Sequence, residues 1–87
     1  MPAKKKLGRQ VVITPAQIGE IVRARRKARG LSQAELATSL GISQSRLSVL
    51  ESDASSITLD RLILLVRVLG FDLVIEEKSE PKARAQW

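Results

Sequence analysis

Fifteen lysines and arginines against nine aspartates and glutamates give this 87-residue chain a net charge of +6. The cations are clustered. Lys4, Lys5 and Lys6 stand together near the start, and Arg23, Arg25, Arg26, Lys27 and Arg29 crowd one short segment. Such a balance favours anionic partners, nucleic acid above all, although solubility alone is served by the same charge. Catalysis has far less to work with. Cysteine and histidine are both absent, which removes thiolate and imidazole metal ligands and the commonest general base. The remaining carboxylates, lysines and serines are scattered, with no evident activating neighbour. We therefore expect a binding protein with no cofactor, not an enzyme.

The elements that must position these charges are short. Residues 1–13 read as a basic arm, in which Val11 to Ile13 are too few to decide between a brief strand and coil. Thr14-Pro15 is a helix start, because threonine caps free amides and proline fits the first helical position. Ile18, Ile21, Val22 and Ala28 then recur on one face until Gly30 stops the helix. Ser32 begins a second helix, with Glu35 three residues later completing a capping box. Leu36 and Leu40 form its apolar stripe, and Gly41 ends it. Ser43 caps a third helix with Leu47 and Leu50 inward, SDASSI (52–57) is loop, and Thr58 caps a fourth helix closed by Gly70. On that helix Leu59, Leu62, Ile63, Val66 and Leu69 make one apolar face, with Leu64 and Val68 nearly opposite. FDLVIEE (71–77) changes period to two, as a strand does, with nothing obvious in the same chain to pair with. Residues 78–87 are a charged tail. No segment has the length and apolar run of a membrane span or a secretory leader, so we expect a cytoplasmic protein with no membrane partner.

Within LSQAELATSLGISQSRLSVLE, two short helices are joined by a three-to-four-residue turn holding one glycine. That spacing predicts a helix-turn-helix, in which Gly41 supplies a positive φ and the second helix projects into the major groove of DNA. Ala37 is small where the helices approach, and Leu36, Leu40, Ile42, Leu47 and Leu50 pin the pair to a core. The alternative is a plain helical hairpin inside a small bundle.

The run S-Q-A-E-L-A, then G-I, then L-S and a closing Glu resembles the phage-repressor class of helix-turn-helix proteins, the Xre/Cro type, over roughly residues 15–70. The resemblance implies a mainly α, four- to five-helix, lambda-repressor-like domain over residues 14–70, followed by a short C-terminal dimerisation β-strand. It implies that Gln44 reads a base, an assignment suited to an amide that both donates and accepts on adenine. Ser45 and Ser48 would lie on the same exposed side as shorter-range base or phosphate contacts, Gln33 would meet a phosphate and support the third helix, and Arg46, with Ser43 beside it, would clamp a phosphate. Each serine is equally readable as a cap or a solvated face. The resemblance also pairs Arg26 with Glu51, as a buried or half-buried salt bridge fixing the third helix to the first; two surface charges are the alternative. Arg25 departs from the pattern, since relatives carry a small or apolar residue there, and its head is expected to escape to water or phosphate. The Lys4–Lys6 arm would add sequence-independent affinity through counterion release.

One such helix reads few bases, so a symmetric dimer is expected. The segment 71–77, through Phe71, Leu73, Val74 and Ile75, would pair with its copy as a ribbon over the fourth helices. Thr-Pro-Ala-Gln-Ile before the first helix, the strand after the fourth, and a tail ending in Trp87 are similar to HipB-type antitoxins. That likeness implies a repressor of double-stranded operator DNA that also holds a HipA-like serine/threonine kinase toxin, with Trp87 as a possible toxin anchor or simply a chain end. The other reading is a stand-alone or prophage regulator without a toxin.

Overall fold

In the computed structural model, residues 8–78 are described; Lys4, Lys5, Lys6 and Trp87 lie outside them. Four helices follow one another: α1 (Pro15–Ala28), α2 (Gln33–Leu40), α3 (Gln44–Ser52) and α4 (Leu59–Val68). The four- to five-helix expectation thus resolves to four among the described residues. α3 packs on both α1 and α2, and α4 packs on α2.

Local sequence sets every boundary. Pro15 opens α1, where Gln17 Oε1 accepts from the backbone of Thr14 at 2.8 Å and of Ile13 at 2.6 Å. Ser32 and Glu35 form the expected reciprocal box at α2, and the hydroxyls of Ser43 and Thr58 accept from the third amides of α3 and α4. Three helices end alike. The amides of Leu31, Ile42 and Phe71 reach back to the carbonyls of Arg26, Ala37 and Val66 at 2.8–3.0 Å, each across a glycine. Between α2 and α3, that glycine is Gly41, at φ +69°, a conformation a side chain resists. The apolar residue after it, Ile42, folds back onto the core.

The core is Val22, Leu36, Ala37, Leu40, Leu47, Leu50, Ala54, Leu65 and Leu69. On α1 the buried stripe is Gly19, Val22 and Arg26, whereas Ala28, expected inward, is exposed. Gly19 is where α1 meets α3 backbone to backbone: a Cβ there would lie 2.5 Å from the Glu51 carbonyl oxygen and 2.8 Å from that of Leu50.

The face expected for α4 is rotated. Leu65 and Leu69 point inward, fully buried, with Val68 beside them, while Leu59 and Ile63 are exposed. Seven of the ten residues of α4 are apolar, so periodicity leaves its rotation undetermined. Polar ties are well placed to set it. Arg61 Nη1 donates to the Leu40 carbonyl at 2.6 Å, Arg25 Nε to that of Leu69 at 2.9 Å, and Arg29 Nη1 to that of Val68 at 3.1 Å. The Arg25 head therefore does not escape to solvent; it closes the C-terminal end of α4, where positive charge is favoured, and lies 5.1 Å from the centroid of the Phe71 ring. Beyond Phe71, the period of two has no ladder within the described residues, and Leu73, Val74 and Ile75 are exposed.

Candidate nucleic-acid interface

The outward side of α3 carries Gln44, Ser45, Ser48, Val49 and Ser52, all exposed, and Arg46 stands at its flank. The inward side is Leu47, Leu50 and Glu51. A nine-residue helix with three inward anchors is held along its whole length and still presents a free face.

Glu51 organises the polar side of the site. Arg26 donates to it twice, Nε to Oε2 at 2.6 Å and Nη2 to Oε1 at 3.1 Å, and its remaining arm, Nη1, donates to the Leu31 carbonyl at 2.8 Å. Both residues are buried, at 8% and 7% exposure. Every buried side-chain nitrogen and oxygen among the described residues has a partner. Burial pushes the Glu51 carboxyl up, but hydrogen bonds from Arg26 and Gln33, with the charges of Arg26 and Arg23, outweigh it and hold the group below its ordinary value. The hydrogen bond to Glu51 conversely raises Arg26, against the opposite pull of burial. The salt bridge implied by the resemblance is a buried, two-point one.

The network continues outward. Gln33, the first residue of α2, donates from Nε2 to Glu51 Oε1 at 3.0 Å. A carboxylate accepts only, so this orients the amide and leaves Gln33 Oε1 facing Gln44, whose Nε2 lies 3.5 Å away. Gln44 keeps its own Oε1 and its second N–H for an outside partner. The buried ion pair is thereby connected, through Gln33, to the exposed start of α3.

The serines divide between two grooves. Ser48 borders a groove between α1 and α3 with Arg23, Lys27, Gln33 and Ser52. Ser45 and Arg46 border another, between α3 and the loop into α4. Ser43 serves as the α3 cap, accepting from the Arg46 amide at 3.1 Å, and its oxygen lies 3.4 Å from that of Ser45. Sequence reasoning missed Val49, 62% exposed, although its helical neighbours Ser45, Arg46, Ser52 and Asp53 are all polar and a core position would have needed apolar ones. Arg23 and Lys27 were visible only as members of a basic run.

A family model described as Helix-turn-helix matches residues 22–75. The chain belongs to the helix-turn-helix family. That match takes in α2, the Gly41 turn and α3, and supports a DNA-binding regulator. Among solved structures, this helix-turn-helix chain is similar to the HipB chain of a HipA-HipB-O2-O3 complex, at a TM-score of 0.71 and 24% identity, covering 80% of this chain and 99% of that one. It is also similar to part of Fe(II)-HppE with the alternative substrate (S)-1-HPP, at a TM-score of 0.64 and 24% identity, covering 71% of this chain and 32% of that one. The helix-turn-helix chain thus spans about a third of that iron protein, and likeness at such identity is one of fold. No curated protein sequence matches. No helix among the described residues is long and apolar enough to cross a membrane.

Proposed function

We propose that the protein is a dimeric repressor that reads an operator in double-stranded DNA through α3, and that it is the HipB-type antitoxin of a kinase toxin. The observation that carries the DNA reading is the line from Arg26 and Glu51 through Gln33 to Gln44, which leaves the Gln44 Oε1 and one N–H available to a base edge. An acceptor and a donor side by side match N6–H and N7 of adenine. Ser45 and Ser48 supply hydroxyls to neighbouring edges. The Val49 isopropyl group suits a thymine methyl. Gln33, Ser43 and Arg46, flanked by Arg23 and Lys27, suit phosphates, with Gln33 and Ser43 favoured further by lying at helix N-termini. Occupying the operator excludes polymerase.

Gln44→Ala tests this reading against DNA from upstream of the protein's own gene, at two salt concentrations. Specific binding should fall about 10- to 100-fold, in line with a bidentate contact worth about 1–3 kcal/mol, while binding to random DNA and its salt dependence stay close to the parent's. A variant that separates operator from random DNA as well as the parent does would remove Gln44 from base reading. Val49 has its own probe. Replacing operator thymines by deoxyuridine should weaken the parent at one position and leave Val49→Ala unaffected there.

Dimerisation is supported by Leu73, Val74 and Ile75, the last 97% exposed, together with the outward Leu59 and Ile63 of α4. An unpaired apolar segment invites a matching one. Sedimentation equilibrium should give a dimer at micromolar concentration, and a monomer there would defeat the ribbon over residues 71–77. The toxin partner rests on likeness to HipB. Co-expression with a neighbouring kinase-like gene should yield a co-purifying complex. If no such gene or complex exists, a stand-alone regulator is the better description.

A further inference from the structure

We infer that Arg25 and Arg29 act as positioning residues for operator spacing: by closing on the end of α4 and on Phe71, they fix the heading of residues 72–77 relative to α3. The inference rests on the dimeric reading above and adds what sets its geometry. Arg25 Nε donates to the Leu69 carbonyl at 2.9 Å, Arg29 Nη1 to the Val68 carbonyl at 3.1 Å, and the Arg25 guanidinium lies 5.1 Å from the Phe71 ring centroid. Between these contacts runs Gly70, exposed and at φ +83°, where a Cβ would meet Arg25 Nη2 at 3.2 Å and Arg29 Nη2 at 3.3 Å. The Phe71 amide is tied back to the Val66 carbonyl at 2.8 Å. Phe71 is thus the last residue of the C-terminal segment packed against the core. The one ion pair formed beyond it among the described residues, Arg9 to Glu76 at 3.4 Å, is solvent-exposed and too weak to steer the segment.

The other side of the connection lies one residue along the same helix. Arg26 holds Glu51 of α3, and successive residues of a helix point about 100° apart. Adjacent side chains of α1 therefore grip the recognition helix and the root of the pairing segment. The path from dimer contact to DNA contact crosses one peptide of a packed helix, which leaves little room for the two to swing independently. DNA demands such rigidity, because each added base pair turns one half-site by about 35° relative to the other.

The test uses the full-length protein on duplexes carrying two copies of its selected half-site, separated by spacers that grow one base pair at a time. The parent should prefer one spacer by about tenfold over its neighbours, the scale of a defect in one half-site. Arg25→Met, which keeps the stem and loses the guanidinium, should accept neighbouring spacers within about threefold while remaining dimeric and keeping its half-site sequence preference. Phe71→Leu, which keeps the apolar contact and loses the ring, should behave likewise and covers the case in which Arg25→Met does not fold. Lost stability with an unchanged, sharp spacer preference would overturn the inference and leave a merely structural clamp. A parent that binds single half-sites as a monomer would instead overturn the dimeric reading itself.

Discussion

Arg26→Met should lower the unfolding free energy by about 3–5 kcal/mol, because it strands a buried carboxylate without its counter-charge. That is a large share of what a chain of this size holds, on the order of 4–13 kcal/mol at the usual value per residue. Urea unfolding followed by helical circular dichroism measures it, and a loss below about 1 kcal/mol would mean that the pair behaves as a surface one. The pH dependence carries a sharper signature. In the parent, Glu51 sits below its ordinary value of 4.5, so its contribution is fully present above that pH and is lost as the pH falls through the lower folded value. In the variant, burial is left as the dominant influence and raises the group. Its carboxyl then takes up a proton on folding, and the variant should gain stability relative to the parent as the medium is acidified from neutrality. Adding Glu51→Met to Arg26→Met should recover much of the loss, since an apolar pair of similar volume removes the stranded charge. The double variant should nevertheless bind operator less selectively, because Gln33 would have no carboxylate to orient it.

Gly19→Ala should destabilise by about 3 kcal/mol, the upper range for overpacking. At an exposed helical position the same change would stabilise by about 0.5–1 kcal/mol, through chain entropy and propensity. Here the added carbon would lie 2.5 and 2.8 Å from two carbonyl oxygens of α3, and backbone has no rotamer by which to move aside. α1 and α3 would have to separate by close to an ångström, stretching the 2.6 Å contact between Arg26 and Glu51 as they do. DNA affinity should fall along with melting temperature. A higher melting temperature for Gly19→Ala would show that the two helices do not pack this closely in solution.

Punctuation made the helix order legible. Ser32, Glu35, Gly41, Ser43 and Thr58 act on their own backbone within a few residues, so their meaning survives without knowledge of the tertiary structure. The pairing of Arg26 with Glu51 and the role of Gln44 came from resemblance; in the fold Arg26 is bonded to Glu51 and Gln44 is exposed. What resisted reading was non-local. The inner stripe of α1 runs through a glycine and an arginine, which a hydrophobic period cannot register. On α4 the opposite problem arises: too many apolar residues define too many faces, and the one adopted is accompanied by the reach of Arg25, Arg29 and Arg61 to distant carbonyls. A basic run spread over several helical faces does not say which member goes where; in the fold Arg25 and Arg29 tie α4, Arg26 is buried, and Arg23 and Lys27 face a groove.

The exposed stretch Leu73-Val74-Ile75 also bears on cell physiology. If those side chains are covered by a second copy, folding and association become one equilibrium, and resistance to heat and proteases rises with abundance. Dilution at each division then weakens occupancy of the operator and the lifetime of the polypeptide together. Such a regulator would gauge its own supply through mass action, with no small-molecule signal required.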